Sequence, residues 1–154
     1  TEIYTLSLHD ALPICSGDPR EILRGPLYYG IMFVLMTIIF WKDSPVGIVA
    51  LMMMCGGDGI ADLVGRRFKS PKLFHSPAKS VAGSLGVFFG GWLLSAFVLA
   101  MYLLAGVFEG PVSAYLLPLT VIAAIATVIE SLPQRDVDNI TVTFAAALLG
   151  WWLF

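Results

Sequence analysis

The sequence predicts an all-α protein, a polytopic bundle of about five transmembrane helices within residues 16–154. Hydrophobic residues make up 58% of the 154-residue chain and charged residues only 13%, whereas a soluble domain carries about 25% charged residues. Several apolar stretches approach or exceed the ~20 residues that a helix needs to cross a bilayer. The net charge of −2 gives the chain no bulk attraction for nucleic acid, so no nucleic-acid partner is expected.

Five apolar stretches alternate with polar segments. The first and the last, at about 15 residues each, are short for a straight span. Interfacial Trp151 and Trp152 extend the last one, because aromatic rings favour the headgroup level. Five spans is therefore the predicted number, with four as the alternative. In order, the stretches are 27–41, 46–64, 81–105, 112–129 and 140–154.

The basic residues are distributed unevenly between the two sides of such a bundle. Five crossings place the segments before the first span, after the second and after the fourth on one side. Only Lys42 falls on the other side. This bias marks the cytoplasmic or topologically equivalent side, such as the plastid stroma. The eight residues on that side are Arg20, Arg24, Arg66, Arg67, Lys69, Lys72, Lys79 and Arg135.

Residues 1–15 are set apart from the fold. The first fourteen read TEIYTLSLHDALPI, which matches the translation of a sequencing adapter codon for codon and has none of the features of a targeting peptide. We therefore expect residues 1–15 to be an adapter-derived, unfolded artefact and the natural N-terminus to be missing. His9 and Asp10 are accordingly not candidates for catalysis. Cys15 and Cys55 support no disulfide framework.

Asp58 and Asp62 are the first candidate site residues. Their spacing of four puts both carboxylates on one face of a helix. An acid inside a membrane helix costs about 2.5–3.5 kcal/mol, and two adjacent carboxylates repel unless a cation lies between them. Magnesium takes one or two carboxylates together with phosphate oxygens. Gly56, Gly57 and Gly59 permit either close backbone approach or a helix break. The alternative is structural, with Asp58 paired to a basic residue and Asp62 at the interface.

A basic loop follows the aspartates. Arg66 lies four residues after Asp62, and Lys79 ends the loop. Arginine binds phosphate as a bidentate fork and lysine as a point charge, so these two are the preferred phosphate ligands. The alternative is a loop that only sets topology or binds anionic lipid. The loop also holds Arg67, Lys69, Lys72 and a lone His75, which is interpreted as a surface residue.

A third group of polar residues lies on the same side. Glu130 ends the fourth apolar stretch, and Asp138 and Asn139 begin the fifth. Carboxylate and amide could hold a second Mg²⁺, or an acid could take the proton of an attacking hydroxyl. The alternative is helix capping. Separately, the GxxxG pattern at 86–90 predicts close helix packing.

Five motifs occur in a set order. They are Ser16–Glu21 with Arg24–Tyr29, Gly56–Asp62 with Gly65–Phe68, Lys79-Ser80 with Ala82–Ser84, Glu130–Pro133, and Asp138-Asn139. In order and spacing they resemble the plant phytol kinase and farnesol kinase family, which is related to dolichol kinase. The sequence departs from the family's usual pattern at Lys69, Phe74–Ser76 and Thr143, and at Val137, where the family usually has an aspartate.

The resemblance implies the C-terminal part of a membrane-embedded prenol kinase domain over residues 16–154, and the fragment alone is expected to be inactive. Such a kinase uses CTP, or another nucleoside triphosphate, with Mg²⁺ (or Mn²⁺) to phosphorylate phytol, farnesol or geranylgeraniol. It would lie in a chloroplast membrane, or alternatively the endoplasmic reticulum, and feed isoprenoid salvage and tocopherol synthesis. The implied catalytic residues are Asp58, Asp62, Glu130 and Asp138, with Asp58 and Asp62 as metal ligands. The implied nucleotide-binding residues are Gly57, Arg66, Arg67, Lys79, Ser80 and Asn139.

Three other functions are compatible with these residues. A phosphatidate cytidylyltransferase-like enzyme would also use CTP in a membrane. An ion-coupled transporter would place Asp58 and Asp62 at a helix break in the middle of the bilayer. A catalytically inactive binding subunit is the third. A soluble nucleotide-binding fold is not supported, since the sequence has neither a Walker A loop nor a GxGxxG motif.

Overall fold

The computed structural model describes residues 19–134 and 137–154, and for residues 19–24 it describes the backbone only. The predicted adapter segment therefore lies outside the described residues. So do Arg135 and the side chains of Arg20 and Arg24, which the sequence assigns to the basic side.

The described residues form five helices, each at a predicted apolar stretch, which confirms the all-α membrane fold. A short antiparallel hairpin of strands β1 and β2 lies between the second and third helices, in the segment that the sequence analysis treats as a loop. In the hairpin Lys72 pairs with Ser80, and Leu73 pairs with Ser76 across an irregular register. The elements are α1 Pro19–Phe40, α2 Pro45–Arg67, β1 Lys72–Leu73, β2 Ser76–Ser80, α3 Val81–Leu104, α4 Val112–Ser131 and α5 Asp138–Leu153.

The predicted number of spans is slightly high. Within the described ranges three helices, α2, α3 and α4, are long and apolar enough to cross a membrane. The apolar part of α1 is limited to Gly25–Phe40. Helix α5 has 16 residues, which at 1.5 Å per residue is about 24 Å, less than the ~30 Å of a hydrocarbon core. Both helices pack against α2 and complete the bundle around it.

Serine side chains fix the starts of the two helices that flank the hairpin. Ser44 Oγ accepts a hydrogen bond from the Val46 amide at 3.2 Å at the start of α2. Ser80 Oγ accepts one from the Gly83 amide at 3.2 Å at the start of α3. Each cap satisfies an amide that has no partner within its own helix. Because Ser80 also ends β2, the hairpin leads directly into α3.

Helices α2 and α3 pack backbone against backbone through glycine. A Cβ atom on Gly86 would lie 2.8 Å from the Ala61 Cα, and one on Gly56 would lie 2.6 Å from the Gly90 carbonyl oxygen. Neither position has room for a larger residue, so the close packing predicted from GxxxG is confirmed. Helix α2 is continuous from Pro45 to Arg67. Gly56 and Gly57 therefore serve the close approach of α3, whereas Gly59 has nothing within 4 Å. None of the three glycines breaks the helix.

The core lies among α1, α2, α4 and α5, and large apolar side chains cover the outside of the bundle. The outward-facing residues include Ile38, Leu93, Leu117 and Trp152. In water such a surface would be an aggregation hazard, whereas in a bilayer it is solvated by lipid tails. The buried core includes Met32, Met36, Val49, Met54, Leu119, Ile122 and Ala146.

Candidate active site

The polar residues meet at one end of the bundle. Lys79, just before α3, places its Nζ 2.7 Å from Glu130 Oε1 at the end of α4 and 3.5 Å from Asp138 Oδ2 at the start of α5. These contacts bring three helix ends together. Asp58 and Asp62 are on the C-terminal half of α2, which ends at the same face. The gathering of polar groups at one face, predicted from the sequence, is thus present in the fold.

A polar cavity of about 290 Å³ lies at this face. Six of the candidate residues line it, and its size is at the lower end of the range for small-molecule sites. Acidic side chains lie on its α2 and α4 sides, and Lys79 reaches it from β2. The cavity therefore combines metal-type and phosphate-type ligands in one space. The six residues are Asp58, Asp62, Arg66, Lys79, Ser80 and Glu130.

A second, very small cavity of about 20 Å³ adjoins the first. It is lined by Asp138 and Asn139 together with Asp58 and Glu130, which line both cavities. The main-chain amide of Asn139 donates a hydrogen bond to Asp138 Oδ1 at 3.1 Å, which fixes that carboxylate at the start of α5. The two acidic groups that the sequence analysis treated separately therefore share one site.

The ion pair between Asp62 and Arg66 is exposed. Arg66 Nε lies 2.6 Å from Asp62 Oδ1, and the two side chains are 70% and 61% exposed. A solvated pair with this i,i+4 spacing stabilises a helix by only about 0.3–0.5 kcal/mol. Arg66 can therefore turn toward a bound anion at little cost in stability.

Lys79 is held much more firmly than Arg66. Its side chain is 18% exposed and that of Glu130 is 22% exposed. The ammonium donates to both the main-chain carbonyl and the carboxylate of Glu130. Charge-assisted hydrogen bonds are shorter and stronger than neutral ones. Lys79 thus joins the hairpin to α4 and carries a positive charge between the acidic residues.

Two predicted residues line neither cavity. Gly57 is buried against α3, where an added Cβ would lie 3.3 Å from Val87 Cγ1. Arg67 is the exposed last residue of α2 and does not line the cavity. The prediction of both as nucleotide-binding residues came from the motif and not from a helical face. Consecutive residues on a helix point in different directions, which separates Arg67 from Arg66.

Two lining residues with polar side chains were not among the site residues predicted from the sequence. Lys72 reaches the cavity from β1 and donates to the Ala78 carbonyl at 3.4 Å. Ser84 Oγ is buried and has no hydrogen-bond partner among the described residues. Ser84 lies four residues after Ser80, and this spacing on α3 could have identified it. The position of Lys72 depends on the hairpin, which the sequence analysis did not predict.

The acidic residues fit a metal ion that is shared with a phosphate group. Among the residues that the structure describes, no three Asp, Glu, His or Cys side chains are arranged to hold a metal ion by themselves. Asp58 and Asp62 nevertheless line the same cavity. Mg²⁺ commonly binds one or two carboxylates and completes its shell with water and substrate phosphates. The donor set therefore suits Mg²⁺ that arrives with a nucleotide.

Several plant proteins have sequences related to this chain. "Probable phytol kinase 1, chloroplastic" from Oryza sativa subsp. japonica is 46% identical over 140 residues, which is 90% of this chain and 45% of that protein. The chain is a homologue of phytol and farnesol kinases. "Phytol kinase 1, chloroplastic" and "Farnesol kinase, chloroplastic", both from Arabidopsis thaliana, are each 40% identical over 140 residues and 90% of this chain.

The chain spans about half the length of the curated relatives it matches, 46% and 45% for the two Arabidopsis thaliana proteins. No protein-family model matches the chain. No solved structure matches it either. The homology therefore rests on the sequence relatives.

Proposed function

We propose that this chain is part of a membrane kinase that transfers the terminal phosphate of a nucleoside triphosphate to an isoprenoid alcohol. The observation that carries the proposal is the single cavity in which Asp58 and Asp62 face Arg66 and Lys79. The names of the homologues, phytol kinase and farnesol kinase, support the choice of an isoprenoid alcohol as acceptor.

The nucleotide would bind through its phosphates. Asp58 and Asp62 would hold Mg²⁺ (or Mn²⁺), and Arg66 and Lys79 would bind phosphate oxygens. When bound, the metal ion neutralises charge on the transferred phosphoryl group. Ser80, which lines the cavity at the start of α3, would orient the same phosphates.

The alcohol would be deprotonated by the acidic residues between the two cavities. Glu130 or Asp138 would accept the hydroxyl proton while the alcohol oxygen forms a bond to the γ-phosphorus. The bond from that phosphorus to the bridging oxygen breaks, and the nucleoside diphosphate leaves. Lys79 contacts both carboxylates and is placed to stabilise the charged form of whichever one acts.

The prenyl chain would lie in an apolar groove of about 460 Å³ between α2 and α3. Gly59 lines this groove and lies three residues before Asp62, so the groove begins about one helical turn from the polar cavity. Phe89, Leu93 and Phe97 of α3 continue the groove away from the polar end. An amphiphile could thus place its hydroxyl near Glu130 while its tail stays among the helices.

The finer assignments are also part of the proposal. The phosphate donor is CTP and the product feeds tocopherol synthesis, as the family resemblance implies. The protein is placed in a chloroplast membrane, since the relatives' names include the word chloroplastic and three helices have spanning length. The endoplasmic reticulum is the alternative location.

The rival functions predict different observations. A transporter with a cation site in the bilayer centre would need a broken helix, and α2 is unbroken through Asp58 and Asp62. A phosphatidate cytidylyltransferase-like enzyme would form a CDP-lipid and release pyrophosphate. Analysis of the lipid product separates that enzyme from a kinase, which forms the alcohol monophosphate.

The test is an assay of the full-length protein with phytol, farnesol and geranylgeraniol, each against CTP and ATP. We expect Asp58→Asn to lower phosphoryl transfer by about 100-fold or more, because it removes charge that binds the metal ion. Asp43→Asn is the matched control, since Asp43 is an exposed carboxylate in the turn between α1 and α2, at the other end of the bundle. Wild-type rates in the Asp58→Asn protein would show that the assignment is wrong.

A further inference from the structure

The hairpin is attached to the end of α4 at two adjacent residues. His75 Nε2 lies 3.1 Å from Ser131 Oγ, and Lys79 Nζ lies 2.7 Å from Glu130 Oε1. The two hairpin residues are four apart, and their two partners are consecutive. From the sequence His75 is expected to be a surface residue, but its imidazole contacts a serine that is only 9% exposed.

The direction of the hydrogen bond follows from its surroundings. Ser131 Oγ donates its single hydrogen to the Val128 carbonyl at 2.7 Å. The hydroxyl can then only accept from the imidazole. In the tautomer that carries the hydrogen on Nε2, His75 is the donor of this hydrogen bond.

Lys79 is a flexible side chain on a small hairpin. A lysine side chain has many rotamers, and a two-stranded hairpin alone is at best marginally stable in water. Strands β1 and β2 have two and five residues. Phe74 at the tip is 97% exposed, so apolar packing at the tip does not hold the hairpin. His75 and Lys79 connect the hairpin to α4.

We propose that His75 is a positioning residue: its hydrogen bond to Ser131 fixes the hairpin so that Lys79 bridges Glu130 and the phosphate site. The position of Lys79 is inferred from the two contacts of the hairpin with α4. Its catalytic consequence rests on the proposed kinase function. The experiments below therefore include one readout that is independent of activity.

The first readout is the chemical accessibility of lysine in the full-length protein. An amine-reactive ester, followed by mass spectrometry of the peptides, gives the modification rate of Lys79 relative to exposed Lys72. We expect His75→Ala to raise this ratio several-fold, because Lys79 loses its fixed position. Ser131→Ala should do the same, and the double variant should go no further than either single variant.

Conservative and neighbouring substitutions give the controls. His75→Gln places an amide donor near the position of Nε2 and should retain a ratio near that of wild type, whereas His75→Phe keeps the ring volume and should not. Phe68→Ala changes an exposed side chain just after α2, outside the hairpin, and should leave the ratio unchanged. If His75→Ala leaves the ratio unchanged, or raises the modification of Lys72 and Lys79 equally, the positioning role is wrong.

The second readout is kinetic. We expect His75→Ala to lower kcat about fivefold, the factor to which a neutral hydrogen bond of about 1 kcal/mol corresponds, while KM for the alcohol stays unchanged. His75→Gln should recover most of the loss. A wild-type protein that makes no phosphoalcohol would overturn the proposed function but leave the labelling result to decide the geometry. An active protein whose kcat does not respond to His75→Ala would overturn the catalytic part of the inference.

Discussion

At the scale of single residues, consecutive arginines at the end of α2 have different surroundings. Arg66 lines the polar cavity and pairs with Asp62, whereas Arg67 lies outside the cavity. We expect Arg66→Gln to raise the KM for the nucleotide about tenfold or more, because a hydrogen bond to a charged group contributes about 1.5–3 kcal/mol. Steady-state kinetics at varied CTP measure this change.

The same pair of variants tests whether Arg66 serves binding or stability. The exposed ion pair contributes at most about 0.5 kcal/mol, so Arg66→Gln should leave the melting temperature nearly unchanged. Arg67→Gln is the matched control and should alter neither KM nor melting temperature. Equal increases in KM for the two variants would contradict the placement of Arg66 alone in the phosphate site.

The sequence predicts the acidic and basic site residues better than the contacts that fix them. Asp58 and Asp62 could be assigned to one face from their spacing, because an intrahelical spacing is already a distance. The contact between His75 and Ser131 spans 56 positions. It depends on how α4 packs against α3 and on a hairpin with no strong sequence signal. Nothing in the local pattern around either residue encodes it.

At the scale of helices, the contact between α2 and α3 predicts that alanine substitution changes the melting temperature at one glycine and not at another. A Cβ on Gly86 would lie 2.8 Å from the Ala61 Cα, whereas one on Gly59 meets nothing within 4 Å. Overpacking a tight interior typically costs about 1–3 kcal/mol. We therefore expect Gly86→Ala to lower the melting temperature by several degrees and Gly59→Ala to leave it unchanged.

A larger residue at Gly59 tests the proposed groove. Gly59→Leu would fill part of the space beside Phe89 and Leu93 without displacing a helix. Its expected effect is a higher KM for the prenyl alcohol with unchanged melting temperature, measured by thermal unfolding in detergent and by kinetics. If the Gly59→Leu protein keeps the wild-type KM for every alcohol, the prenyl chain does not bind in this groove.

The positions of the helices could be predicted from the sequence, but which of them span the membrane and how they pack could not be predicted as well. Apolar length and flanking charge identified all five helices of the described residues, because a bilayer imposes both. The predicted number of spans was slightly high, since α5 has only 16 residues and begins with two polar ones, and the apolar part of α1 is limited to Gly25–Phe40. From the sequence, the glycines around Asp58 are compatible with either close helix packing or a helix break. Only the position of α3 shows that Gly56 and Gly57 pack closely.

At the scale of the whole molecule, the distribution of charge and the fold agree. Lys79, Glu130 and Asp138 meet at one end, which requires α2, α3 and α4 to alternate in direction as the basic bias predicts. The turn that holds Glu109, between α3 and α4, must then lie at the opposite end. A nucleotide site and an apolar groove can share one bundle because the polar groups are confined to one end.

This arrangement predicts on which side of the membrane two exposed residues lie. In a background without the native cysteines, Phe74→Cys reports on the hairpin and Glu109→Cys on the turn between α3 and α4. Expressed in a bacterial inner membrane, the basic end should face the cytoplasm. In intact spheroplasts a membrane-impermeant maleimide should therefore label the Glu109→Cys protein and spare the Phe74→Cys protein. Detergent should make both reactive, which controls for burial. Labelling of both from outside would show that α3 does not cross the bilayer. The proposed confinement of the nucleotide site to one side of the membrane would then be wrong.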